Sequence, residues 1–246
     1  ALLQKGVFGR VTGFDVSPGR VNAGNAVFTS QHGDHGIPRI KLDCKDVNTA
    51  LYGTAKYDVV FAKSALHHIE NLEHAFEQIA LCLKPGGKLV TIDFFGPSRF
   101  QWTQEQLQVR SWFWRHRVPE VLHRDVDGHL IPEIVRPAME AMIAMDPSEA
   151  VRSGELYALL KQYFEPTQDV ALGGSLVNLL LYGDIVNRFD PADDAHNAVI
   201  REAFLLERLL MDLGVLGSDF RLIIAEPRAR PPRGPAGTSG QILECW

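Results

Sequence analysis

The chain has 246 residues, 46% hydrophobic and 22% charged, with a formal net charge of −5, the profile of one large globular domain or of one domain with an elaboration. That acidic balance offers no global attraction to nucleic acid or to an anionic membrane, and no apolar run reaches the roughly 18 residues needed to span a bilayer. Three widely separated cysteines, Cys44, Cys82 and Cys245, argue against a disulfide framework and for a reducing cytoplasm.

Residues 1–6 read as the end of a helix, and Arg10-Val-Thr-Gly-Phe-Asp15 as a strand closed by an acid. Ser17-Pro18 then opens a helix, with a capping serine and a proline in the first turn. Residues 31–38 form a polar loop holding His32, Asp34 and His35. No further ligand pair stands at a convincing spacing from them, so no metal is expected. Pro38-Arg-Ile-Lys-Leu-Asp43 reads as the next strand.

Tyr57-Asp-Val-Val-Phe61 is a short apolar, β-branched and aromatic run, as expected of a strand buried on both faces of a parallel sheet. Asn71 caps a helix whose Leu72, Phe76, Ile79 and Leu83 recur on one face, and Pro85-Gly86-Gly87 is expected to stop it. Leu89-Val-Thr-Ile92 is the following strand. A strand, crossover helix and strand of this length make a βαβ unit, with its ligand side at the carboxyl ends of the strands. The residues there are Ala62 to His68 and Asp93 to Gly96.

Phe94-Phe-Gly-Pro-Ser98 opens a long insertion, in which the pattern is helical from Thr103 to Phe164. Thr103 with Gln106 has capping-box spacing, and Asp146-Pro147 and Ser153 are further start signals. Trp112-Phe-Trp-Arg-His-Arg117 mixes aromatic and basic residues, which suits a lid packed over a pocket better than nucleic acid in an acidic chain. Asp125-Val-Asp127-Gly128 resembles part of a calcium loop but lacks the other ligands and the closing glutamate, so it reads as a turn. Residues 163–172 read as a strand and 176–182 as a hydrophobic helix. Asp190-Pro191 starts another helix, whose apolar face carries Val199, Ala203, Leu206, Leu210 and Leu213. Phe220-Arg-Leu-Ile-Ile-Ala225 is the last strand, and from Arg228 the Pro, Gly, Ser and Arg content predicts a disordered tail.

Tyr57-Asp-Val-Val-Phe, Ala65-Leu-His-His-Ile69 and Leu83-Lys-Pro-Gly-Gly-Lys-Leu-Val90, in that order, closely resemble the second half of a class I S-adenosylmethionine (SAM) dependent methyltransferase, of the type that includes ubiquinone and menaquinone methyltransferases. The resemblance implies an α/β, Rossmann-like sheet ending in a reversed seventh strand beside the sixth. It implies SAM as cofactor, with Asp15 and the adjoining Val16 at the ribose, and Asp43 with the Cys44 amide at the adenine. Asp46 competes with Asp43 for that role. Ala62, Lys63 and Ser64 would flank the methionine part. His67 or His68 would serve as general base for acceptors that must lose a proton, since an imidazole titrates near neutral pH.

A complete member of that family begins with a central strand and an acid-x-Gly-x-Gly-x-Gly loop. Gly6 and Gly9 lie too close to the Asp15 strand to supply them. The first strand and glycine loop are therefore expected to be missing, and a chain opening on Ala1 is expected to be truncated at its N-terminus. Loss of a central strand would leave the backbone of two neighbours unpaired. The expected organisation is an incomplete SAM-binding core over residues 1–98, a helical lid over 99–162, the rest of the core over 163–227 and a tail over 228–246. The expected activity is methyl transfer to a small-molecule, sugar or lipid-like acceptor. A nicotinamide-dependent oxidoreductase and a catalytically inactive binding partner are the alternatives; the acceptor and the oligomeric state are not legible.

Overall fold

The protein is described by a computed structural model over residues 9–32, 40–125 and 127–229. The expectations for residues 1–6, for Asp34 and His35, and for most of the C-terminal tail lie outside the described residues.

The acid-closed run forms β1 (Val11–Asp15), and Ser17-Pro18 opens α1 (Pro18–His32), which extends to His32 rather than giving way to a loop at residue 31. β2 (Ile40–Cys44) lies parallel to β1, with Phe14 beside Asp43 and Asp15 beside Cys44. The Asn25 side chain satisfies both backbone groups of Leu42, through two bonds of 2.9 Å, and so fastens α1 to this strand pair. Gly13 and Gly24 flank the Leu42 side chain closely: a Cβ at either position would stand 2.6 or 2.4 Å from a Leu42 methyl group and displace it.

The βαβ unit forms as expected. β3 (Tyr57–Lys63) and β4 (Leu83–Phe94) are parallel neighbours joined through α2 (Leu72–Cys82). Asn71 caps α2 by accepting from the His74 amide. Leu72, Ala75, Phe76 and Ile79 are buried between α2 and the sheet, each larger side chain contributing roughly 2 kcal/mol of burial. The stop differs from expectation. Leu83 is already extended and paired with Tyr57, so the helix ends before Pro85-Gly86-Gly87, which lies inside β4.

β6 (Phe220–Pro227) runs antiparallel to β4 on one side and to β5 (Phe164–Gly173) on the other, giving the order β3-β4-β6-β5. This is the reversed last strand that the family resemblance implied. β1 and β2 form a sheet of their own, and β1 has no ladder to β3 among the described residues. Between them runs a cleft of about 450 Å³, with Arg10 to Phe14 on one wall and Val59 to Lys63 on the other.

The segment after β4 is less helical than its pattern suggested. α3 (Gln104–Arg117) starts at the capping box, with Thr103 and Gln106 bonded reciprocally. Among the described residues of 118–138 the regular structure is one 3₁₀ turn and one isolated bridge, Arg124 to Leu130, because Pro119, Gly128, Pro132 and Pro137 interrupt any longer helix. α4 (Met139–Met145) and α5 (Ser153–Tyr163) follow. Asp146 caps a turn rather than a helix, accepting from the Ser148 amide at 2.8 Å. Ser153 lies inside α5, not at its cap.

α5 places Leu156 and Leu160 in the main core with Phe76, Leu89 and Ile223. A second core joins Phe113, Trp114, Leu176, Leu180, Val199 and Ala203, from α3, α6 (Val177–Leu180) and α7 (Asp194–Asp212). Phe113 and Trp114 are thus internal, Trp112 is exposed, and Arg115 and Arg117 pair with Glu133 and Glu202, so the inner half of the run serves packing. α6 is a single turn because Tyr182 is extended and Gly183 has φ of 62°. α7 begins at Asp193, whose carboxylate accepts from the amides of Ala195 and His196, while Asp190 closes the preceding turn.

Candidate active site

The carboxyl ends of β1, β2, β3 and β4 carry the residues singled out from the sequence. Asp15 Oδ1 accepts from the Ser17 amide at 2.7 Å, and Oδ2 takes no hydrogen bond among the described residues. The Asp15 carbonyl accepts from Lys45, which ties the end of β1 to the turn after β2. Beside it, Asp43 is paired with Lys41 at 2.7 Å, and that bond holds its carboxyl below the usual range. The Val16 carbonyl accepts from Cys44 Sγ at 3.6 Å. Asp46, the competitor to Asp43, uses its carboxylate to close the turn over Asn48. Asp15, Val16, Asp43 and Cys44 thus stand together at one strand-pair end.

Ala62 is buried at the end of β3, Lys63 is exposed, and Ser64 turns the chain with φ of 48°. Its amide donates to the Ile92 carbonyl at 2.9 Å, the last link between the ends of β3 and β4. The chain then makes a 3₁₀ turn, Leu66–His68.

Asp93, closing β4, is the hub of this turn and was missed as a functional residue. Its Oδ2 accepts from the amides of Ala65 and Leu66 at 2.9 and 2.8 Å, and its Oδ1 lies 2.5 Å from His67 Nδ1. Burial alone raises the Asp93 carboxyl, but the His67 ring and these amides outweigh it and leave the pKa below the usual value. An acid terminating a buried apolar strand was the available signal; its partner could not be read from spacing.

The opposite face of the histidine pair comes from the segment between α4 and α5. Val151 donates to the His67 carbonyl at 3.1 Å. Glu149 places Oε1 3.6 Å from His67 Nε2 and Oε2 3.9 Å from His68 Nε2. His68 Nδ1 lies 3.0 Å from Ser148 Oγ. Nothing in the sequence linked Ser148 or Glu149 to the histidines, because these contacts join distant parts of the chain.

The arrangement has two ends. One offers an open carboxylate oxygen and strand-end backbone suited to a nucleoside; the other offers a buried, oriented imidazole suited to proton transfer. The cleft between β1 and β3 touches the first turn after β3 through Ala65 and Leu66, but its walls are mainly strand backbone and apolar side chains, so the chemistry sits at its rim.

Residues 1–91 match the methyltransferase domain family. A sterol 4-C-methyltransferase (strm-1) of Caenorhabditis elegans is 31% identical over 85 residues, which is 34% of this chain and 24% of that protein. A 27-O-demethylrifamycin SV methyltransferase of Amycolatopsis mediterranei (strain S699) is 33% identical over 84 residues, 34% of this chain and 30% of that protein. The chain therefore matches less than a third of the length of these relatives. Among solved structures, geranyl diphosphate C-methyltransferase from Streptomyces coelicolor A3(2), in complex with Mg²⁺, geranyl diphosphate and S-adenosyl-L-homocysteine, superposes with a TM-score of 0.50 at 15% identity, over 92% of this chain and 65% of that one. Residues 1–91 thus resemble the methyltransferase domain family, and the chain has the Rossmann-like fold found in class I SAM-dependent methyltransferases.

Proposed function

We propose that the chain transfers a methyl group from SAM to a hydroxyl of a small-molecule, sugar or lipid-like acceptor, with His67 as general base and Asp93 as its orienting partner. The observation that carries this reading is the 2.5 Å contact between His67 Nδ1 and Asp93 Oδ1. Asp93 is 1% exposed, and its carboxylate accepts the Nδ1 proton, so Nε2 is left as the basic nitrogen. The sterol and rifamycin relatives support a small organic acceptor, and the family match favours methyl transfer over nicotinamide chemistry.

The residues present fit the cofactor at the ribose end, where Asp15 Oδ2 is open beside the strand-end backbone of Val16 and Cys44. Asp15 would hold the ribose hydroxyls, Asp43 and Cys44 the adenine, and Ala62, Lys63 and Ser64 the amino-acid part. When bound, SAM supplies a methyl group on a sulfonium. His67 Nε2 removes the acceptor's hydroxyl proton, the resulting imidazolium is stabilised by the Asp93 carboxylate, and the turn held by the Ala65 and Leu66 amides keeps the ring in place. His68 stands beside His67, with ring centroids 4.1 Å apart, as the second candidate base. No helix of the described residues is long and apolar enough to cross a membrane. The free thiols Cys44 and Cys82 suit a reducing cytoplasm, the compartment we assign.

The test is release of S-adenosylhomocysteine from labelled SAM with sterol, macrocyclic and sugar alcohols as acceptors. Turnover that His67→Gln abolishes supports the reading. Absence of SAM binding by calorimetry would instead leave a binding partner on a methyltransferase fold.

A further inference from the structure

We propose that His67, His68 and Glu149 form a binding site for a divalent transition-metal ion of the zinc class, with one coordination position left for water or an acceptor oxygen. One ligand atom from each of the three residues lies within 4.8 Å of the other two. Glu149 Oε1 is 3.6 Å from His67 Nε2, and Oε2 is 3.9 Å from His68 Nε2. Nitrogen and oxygen ligands at about 2.0 Å from a tetrahedral zinc stand about 3.3 Å apart, so the two histidine–carboxylate separations need to close by only about 0.3 and 0.6 Å, and side-chain rotation brings the trio onto one ion.

The outer hydrogen bonds decide where the lone pairs point. Asp93 accepts from His67 Nδ1 at 2.5 Å. Ser148 Oγ lies 3.0 Å from His68 Nδ1 and spends its own proton on Asp146 Oδ1 at 2.7 Å. Ser148 must therefore accept from His68, which puts the proton of that ring on Nδ1. In the neutral form of each ring, both Nε2 lone pairs then face the Glu149 carboxylate. Three electron-rich groups converging on one point call for a cation there, and a carboxylate or hydroxyl behind each imidazole is the support that ligating histidines use.

The ligand set names the ion. Two imidazoles and one carboxylate suit Zn²⁺, Co²⁺ or Fe²⁺, whereas Mg²⁺ and Ca²⁺ prefer all-oxygen cages. His67 has a side chain 10% exposed, while Glu149 and His68 are 23% and 35% exposed, so the site is walled on one side and open on the other. Sequence spacing carried no such signal, because the adjacent histidines sit on a 3₁₀ turn and the carboxylate comes from the far end of the insertion. This site uses the same histidine as the proposed general base, yet it does not depend on the cofactor reading. Where a metal is bound at His67 Nε2, it would activate the acceptor oxygen in place of the imidazole, so proton transfer by His67 belongs to the metal-free chain.

The experiment is titration of the metal-stripped chain, without SAM, by Co²⁺ followed by visible absorption, then displacement by Zn²⁺. A saturable 1:1 complex with the intense bands of a four-coordinate site, displaced by Zn²⁺ but not by Mg²⁺, is expected. Glu149→Gln and His68→Ala should each weaken it by at least about a hundredfold, and Asp93→Asn by about ten- to a hundredfold, while circular dichroism shows that each variant is folded. Asp125→Asn, at the exposed group formed with Asp127 and His129, should leave the spectrum unchanged. Absence of saturable binding, or binding that survives both Glu149→Gln and His68→Ala, overturns the site. A separate SAM titration reports on the methyltransferase reading whichever way the metal result falls.

Discussion

Asp219 and Gln106 meet where neither reaches solvent: Asp219 Oδ2 accepts from Gln106 Nε2 at 2.8 Å, with the two residues 5% and 3% exposed. Burial pushes the Asp219 carboxyl up to about 6 from 3.8, and the nearby Glu207 adds to this, against the lowering bond from Gln106. The folded protein therefore holds a proton between about pH 4 and 6 that the unfolded chain releases, so this group's contribution is intact below about pH 4 and lost as pH rises through 6. Asp219→Asn should gain stability over the parent from pH 4.5 to 7.5, by on the order of 2–3 kcal/mol. Parallel urea midpoints for the two proteins across that range would refute it.

Removing the imidazole should expose its role in proton transfer. His67→Ala is expected to slow methyl transfer to a hydroxyl acceptor by about 10²- to 10⁴-fold while leaving SAM affinity within about threefold, a difference below 1 kcal/mol. Asp93→Asn should also slow turnover, because the carboxylate that orients the His67 ring and stabilises the imidazolium formed in the reaction is gone. Equal losses of turnover and of SAM affinity would identify His67 as structural.

At the other end, Asp15→Ala should weaken SAM binding by about 1–3 kcal/mol, the cost of losing charge-assisted hydrogen bonds. Asp46→Ala, at the carboxylate occupied in its own turn, should leave binding unchanged. Calorimetric titration of both distinguishes the two acids, and an unchanged Asp15→Ala affinity removes that residue from the site.

Glu207 on α7 is buried, and its carboxylate accepts from the amides of Gly174, Leu176 and Val177 at 3.0, 2.6 and 3.0 Å. It supplies the missing cap of the short helix α6, whose residues include Leu179 and Leu180. Glu207→Ala strands three amide donors and should cost about 3–5 kcal/mol, with Glu207→Gln recovering part of it. A fall in denaturation midpoint of under about 0.5 kcal/mol equivalent for the alanine variant, a surface-like effect, would contradict this account.

Local chemistry was legible in the sequence and distant pairing was not. Asn71 before α2 and the Thr103–Gln106 box before α3 were readable because a cap and its amides lie within three residues. β3, β4 and β6 were readable from dense apolar runs, the pairing of β3 with β4 from the βαβ spacing, and the reversed β6 beside β5 from the family resemblance. The stop of α2 was misplaced because Leu83 fits the helical periodicity but pairs better with Tyr57 on β3. The bonds from Asp93 to His67 and from Glu207 to Gly174 cross long stretches of chain, and no periodicity encodes them. Residues 118–138 looked helical only while their prolines were given too little weight.

The separation of β1 and β2 from the four-stranded sheet bears on how the molecule breathes. What joins the pair to the rest includes side-chain contacts such as Phe14 on Tyr52, with ring centroids 5.4 Å apart, rather than a shared ladder to β3. Amide protons of Thr12 to Phe14 should therefore exchange with deuterium through a local opening that leaves Val90 and Ile223 protected. The Asp15 end would detach and re-dock as a unit while the His67 end stays folded, so capture of a nucleoside at Asp15 would itself be an ordering event.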